Sequence, residues 1–131
     1  MQIARAAITY FAIIFALGFV LGTVRVLRGA EALGETTFIL LELSVILVAS
    51  WVAARKLVGR FGIARAGEAL VMGAIAFALL IAAEVLLTAA LGESVAQWIA
   101  GLLEPPGVFG FAGQVLFGLM PWLVIQTGRS G

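Results

Sequence analysis

Two carboxylates sit where the chain is otherwise hydrocarbon. Phe38 to Trp51 reads FILLELSVILVASW, with Glu42 inside the apolar run, and IAAEVLL repeats the pattern around Glu84. An ionised group in hydrocarbon costs at least ~2.5–3.5 kcal/mol on insertion scales, so such acids face a bundle interior or a water-filled cavity. There they can take up and release a proton or hold a cation. They can equally pin helices together through a buried polar network. Two more polar groups are placed to join them: Gln114 in GFAGQVLFG, and Arg25 at the end of the first apolar run. Arg25, Glu42, Glu84 and Gln114 are the candidate ligand- or proton-binding residues.

The residue inventory limits what else this chain can do. There is no Cys, His, Asp or Asn, and seven Glu are the only acids. Thiolate chemistry, disulfides and Fe–S clusters are excluded, and so is the usual imidazole ligand of haem and zinc. A Ser-His-Asp hydrolase cannot be assembled. Glu42 and Glu84 could form an acid/base pair acting on a lipid, but no nucleophile or metal set accompanies them. The expectation is a protein that is not an enzyme, with no cofactor and no metal site. A formal net charge of +1 gives no case for nucleic acid.

The elements that must hold these residues are membrane helices. Hydrophobic residues make up 63% and charged residues 11% of 131, against about 45–50% and 25% in ordinary soluble domains. The mean hydropathy of +1.19 agrees. A chain this short cannot bury so much apolar surface in its own core, and lipid must cover the rest. The reading is a single-domain, all-α integral membrane protein over residues 1–131. A span takes about 20 apolar residues. Four segments qualify, near 6–24, 36–54, 68–91 and 107–126, separated by Gly, Pro or charge. The first run is long enough to span and lacks a convincing cleavage site, so it is expected to stay as a helix. Between spans three and four, SVAQWIAGLL is too short to cross. Its Val95, Trp98, Ile99, Leu102 and Leu103 recur at helical spacing, which suits a short interfacial helix; an ordered loop is the alternative.

Basic residues set the expected orientation. Arg5, Arg55, Lys56, Arg60, Arg65 and Arg129 would share one side, leaving Arg25 and Arg28 on the other. Both termini are then cytoplasmic, with a bacterial inner membrane as the setting. Glu42 lies just below the outer end of span two, and Glu84 just below the outer end of span three. At about 1.5 Å per residue each is roughly 10 Å deep, and Gln114 in span four falls at the same level. Arg25, at the outer end of span one, can reach down. Four polar groups from four spans thus converge on one layer. On span two, Val45, Ile46 and Ala49 share the Glu42 face, while Leu40, Leu47 and Val48 suit lipid. Span one offers the line Ala12, Phe15, Gly18, Gly22, Arg25. Span three offers Gly73, Phe77, Leu80, Glu84, Thr88, and span four Gly107, Gly110, Gln114, Phe117, Pro121.

The stretch RVLRGAEALGET (25–36) resembles EVLLTAALGES (84–94) with one gap. The match fits two helical hairpins in the same orientation, a parallel repeat. Local chemistry explains part of it without ancestry. Gly34 and Gly92 each follow a Leu at the end of an apolar run, where Gly is favoured just past a helix, and Thr36 and Ser94 then suit N-caps. Glu68 suits the start of span three. Glu31, Glu35, Glu93 and Glu104 are expected to be solvated. Tyr10, Trp51 and Trp122 fall toward the cytoplasmic span ends, as in an aromatic belt, and Pro121 is placed to kink span four.

Two functions fit. The first is a small membrane transporter or channel subunit for a proton, cation or small solute, using the polar layer. Four short spans leave little room for a pathway within one chain, so this reading implies a homo-oligomer. The alternative is a non-catalytic accessory or structural subunit whose polar layer docks a partner in a larger membrane complex.

Overall fold

A computed structural model describes residues 2–24, 34–101 and 107–130. Arg25 lies outside these residues. The described chain is all-helical: α1 (Gln2–Val24), α2 (Glu35–Arg60), α3 (Ala66–Ala90), α4 (Val95–Gly101) and α5 (Gly107–Ser130). All except α4 are long and apolar enough to cross a membrane. Their outer surfaces are of the same kind: Val20, Val48 and Leu86 are 58%, 66% and 69% exposed. Large apolar side chains presented outward along every long helix call for lipid as the solvent.

Helix ends follow backbone chemistry more closely than hydropathy does. Span two was expected to stop near Ala54, yet α2 continues to Arg60. Arg55, Lys56 and Arg60 ride on this extension. The helix stops where Gly62, at φ 66°, permits a left-handed residue. The Gly62 N–H then donates to Gly59 O (3.4 Å) and the Ile63 N–H to Val58 O (2.9 Å). This is a Schellman ending. α3 ends the same way at Gly92 (φ 76°), with the Gly92 N–H on Ala89 O and the Glu93 N–H on Thr88 O, both 3.0 Å. Ser94 caps α4, its Oγ accepting from the Gln97 N–H at 3.2 Å. Glu68 accepts from the Arg65 N–H at 3.4 Å and so closes the start of α3. The expectation for Gly34 and Thr36 is corrected. Gly34, at φ 83°, is the N-cap of α2, and Thr36 lies inside the helix.

The four long helices form a bundle in the cyclic order α1, α2, α5, α3. α2 and α3, though joined by a tight turn, sit across a diagonal. The hairpins α1–α2 and α3–α5 lie side by side, so α1 is a neighbour of α3. A two-fold axis along the membrane normal would place those equivalent helices diagonally. The packing therefore carries no such symmetry for the 25–36 and 84–94 match. α3 and α5 cross at two glycines. A Cβ on Gly73 would collide with the Gly118 carbonyl, and one on Gly118 would come 3.2 Å from Phe77 Cβ. Backbones meet here because neither helix has a side chain between them.

The buried core is confined to one end of the bundle. It runs from Ala6, Tyr10 and Ile14 through Ala54, Leu57 and Met72 to Phe117 and Val124. Tyr10 is wholly buried. This corrects its assignment to an aromatic belt: it faces the bundle axis, because Ala6, Ala7, Tyr10 and Ile14 form the buried stripe of α1. Trp51 and Trp122 are partly buried and pack on the core from outside. Val45 and Ala12 are exposed rather than inward, whereas Phe15, Gly18 and Gly22 face the interior as expected.

Candidate functional site: a one-ended polar cavity

Beyond the packed end the helices enclose a cavity of about 650 Å³. Its floor is Ile14, Leu80 and Phe117, and Trp98 of α4 stands at its wall. Glycines open the space. Gly18 and Gly22 leave α1 thin, and Gly110 and Gly113 do the same for α5. At Gly113 a Cβ would run into the tip of the Leu43 side chain, which occupies the space the glycine leaves.

Glu42, Glu84 and Gln114 all line this cavity. Glu84 sits two turns before the end of α3, and Gln114 two turns after the start of α5. Because these helices are antiparallel neighbours, equal distances from their joined ends bring the two side chains level. Gln114 Nε2 donates to Glu84 Oε1 at 2.6 Å, the short distance of a charge-assisted bond. Gln114 Oε1 is buried, with no hydrogen-bond donor among the described residues. Glu42 lies on the α2 wall, half-buried, next to Leu43 and one turn before Ile46, which share the cavity surface. Arg25, the fourth sequence candidate, falls outside the described residues. Thr88, one turn beyond Glu84, is buried and also on the wall.

Three features of the site were not singled out from the sequence as its parts. The first is the aromatic lining. Phe15 and Phe19 of α1 lie 6.4 Å apart between ring centroids and face the cavity together with Trp98 and Phe117. The second is the short helix as a wall element; Trp98 is its contribution, and its amphipathic spacing was the available signal. The third is the plug beneath the floor. The Tyr10 ring stacks on Phe117, with centroids 4.3 Å apart and planes 17° apart. The Tyr10 hydroxyl donates to the Phe117 carbonyl at 2.6 Å. That carbonyl needs an outside donor, because its helical partner four residues on is Pro121, which has no N–H. Pro121 was the signal for an orphaned Phe117 carbonyl; that Tyr10 answers it depends on α1 and α5 meeting across the bundle.

Among the described residues no group of three or more His, Cys, Asp or Glu side chains could hold a metal ion. The site offers carboxylate and amide groups on one level, surrounded by apolar and aromatic surface. Comparison with protein-family models, curated proteins and solved structures finds no match to this chain.

Proposed function

We propose that this chain is a small membrane transporter subunit that receives a proton, cation or small solute in the layer of Glu42, Glu84 and Gln114, with Arg25 as a further candidate from the sequence. The observation that carries this reading is the placement of the polar groups on the wall of an open cavity. Polar side chains that only fix helix packing are enclosed by their partners at interior packing density. Here Glu84 and Gln114 bond to each other and still border about 650 Å³ of space. That volume lies within the roughly 300–1,000 Å³ common for small-molecule sites.

The closed floor favours a carrier over an open channel. Tyr10, Phe117 and Leu80 obstruct the axis below the cavity, so passage requires the packed end to loosen or a second copy to complete the route. A homo-oligomer in the lipid bilayer of a bacterial inner membrane suits this reading. Six basic residues against two support cytoplasmic termini, with the cavity opening to the opposite side.

Reconstitution tests the proposal. Proteoliposomes holding a pH-sensitive dye are given gradients of H⁺, Na⁺, K⁺ and small organic cations. Protein-dependent flux that disappears in Glu84→Gln, with the variant still monodisperse, is the expected result. Flux equal to that of empty liposomes under every gradient, or unchanged by Glu84→Gln, overturns it.

A further inference from the structure

The cavity's chemistry is specific enough to name a ligand class. We propose that it takes a protonated primary or secondary amine with an apolar or aromatic tail, its ammonium held between the Glu84 carboxylate and Gln114 Oε1. This rests on the carrier reading above and deepens it.

The head group follows from the hydrogen-bond valences. An ionised carboxylate only accepts, so the Gln114 amide must turn Nε2 toward Glu84, as it does at 2.6 Å. With Glu84 ionised that orientation follows, and it leaves Oε1 directed elsewhere. Oε1 is buried, on a side chain that lines the cavity, with no donor among the described residues, a costly state for a carbonyl oxygen; a ligand reaches it once the side chain turns toward the cavity. The group that would satisfy it is an N–H or O–H donor. Glu84 next to it calls for positive charge. An ammonium bearing at least one N–H satisfies both at once. A quaternary ammonium meets the charge but leaves Oε1 stranded. A neutral alcohol meets Oε1 but not the charge. A hard metal cation would want about six or more oxygen ligands, and this wall is mostly apolar.

The tail follows from the remaining wall. Phe15, Phe19, Leu43, Leu87, Trp98 and Phe117 line the space around the polar pair. Ring faces also attract cations, which adds to the fit of an amine close to them. The wall would disfavour a strongly hydrated ligand such as a sugar or an amino acid, which carries polar groups on every side.

The test uses three probes of one shape on the full chain in lipid nanodiscs: 3-phenylpropylamine, its N,N,N-trimethyl analogue and 3-phenylpropanol. Binding is read by titration calorimetry and by quenching of tryptophan emission. The amine should bind at least about tenfold more tightly than either analogue, since a site built to hydrogen-bond a donor rejects ligands lacking it. Glu84→Gln, nearly isosteric and able to keep an oxygen opposite Gln114 Nε2, should weaken the amine at least about tenfold. Gln114→Met should erase the preference for the amine over its trimethyl analogue while leaving both cations ahead of the alcohol. Equal binding of the two cations to the unmodified chain overturns the proposal, as does amine binding indifferent to Glu84→Gln. If no probe binds while ion flux in proteoliposomes still depends on Glu84, the ligand class is wrong and the carrier reading stands. If both fail, both readings fall.

Discussion

Removing one oxygen from Tyr10 tests how the packed end of the bundle is held. Tyr10→Phe keeps the ring, and with it the stacking on Phe117 at 4.3 Å. What goes is the donor to the Phe117 carbonyl. Elsewhere in a helix such a loss leaves the i+4 backbone N–H in place, and side-chain hydrogen bonds in membrane proteins then average only about 0.6 kcal/mol. Here position i+4 is Pro121, and the carbonyl is left with no donor in a buried setting. A stranded buried acceptor costs about 1–3 kcal/mol. We expect Tyr10→Phe to destabilise the fold by about 2 kcal/mol, a roughly 30-fold shift in the unfolding equilibrium at about 1.4 kcal/mol per tenfold. The companion variant is Pro121→Ala, which returns an N–H to the Phe117 carbonyl. In that background Tyr10→Phe should cost about 0.6 kcal/mol or less, because the helix now supplies the bond. Reversible unfolding in mixed micelles, run as a double-mutant cycle, reads both numbers. Equal costs in the two backgrounds, or a Tyr10→Phe loss below about 0.3 kcal/mol, would refute the argument that Tyr10 substitutes for the proline's absent donor.

Further outcomes follow from the packing, the glycine conformations and the charge pattern. Gly73→Ala places a methyl against the Gly118 carbonyl and should destabilise by about 1–3 kcal/mol, the usual range for overpacking; a neutral result in the same unfolding assay would mean the α3–α5 crossing is looser than described. Gly92→Ala must hold φ 76° with a Cβ, at a cost of about 1–2 kcal/mol. Gly67→Ala, which meets open space inside a helix, should be neutral or stabilising by up to about 1 kcal/mol, and thermal melts of the pair should separate in that order. Single cysteines at Gly59 and Ser130, in a chain that has none of its own, should resist an impermeant thiol reagent on intact cells; ready labelling of both from outside would reverse the proposed orientation.

The long apolar helices and the shared level of Glu84 and Gln114 were legible in the sequence because both depend on one-dimensional quantities. A run of apolar residues measures the bilayer, and counting along a helix at a fixed rise places Glu84 and Gln114 at one level before any packing is known. The Gly92 ending was legible for the same reason, since it needs only its neighbours to form a Schellman turn, whereas Gly34 begins a helix instead. Which way each helix turns was read correctly for Phe15, Gly18 and Ile46 but not for Ala12 or Val45. In hydrocarbon nearly every face is apolar, so the periodicity that marks a buried side in water is faint. The cyclic order of the helices was beyond the sequence altogether. With similar surfaces, several orders satisfy the same spans, and the choice rests on where backbones can approach, as at Gly73 and Gly118. Tyr10 shows the limit most clearly. Its position near a span end suggested an aromatic belt, while its actual role depends on a carbonyl that Pro121 strands on a helix more than a hundred residues away. Pro121 by itself announced that Phe117 would need a donor; only the meeting of α1 and α5 across the bundle decided that Tyr10 would be that donor.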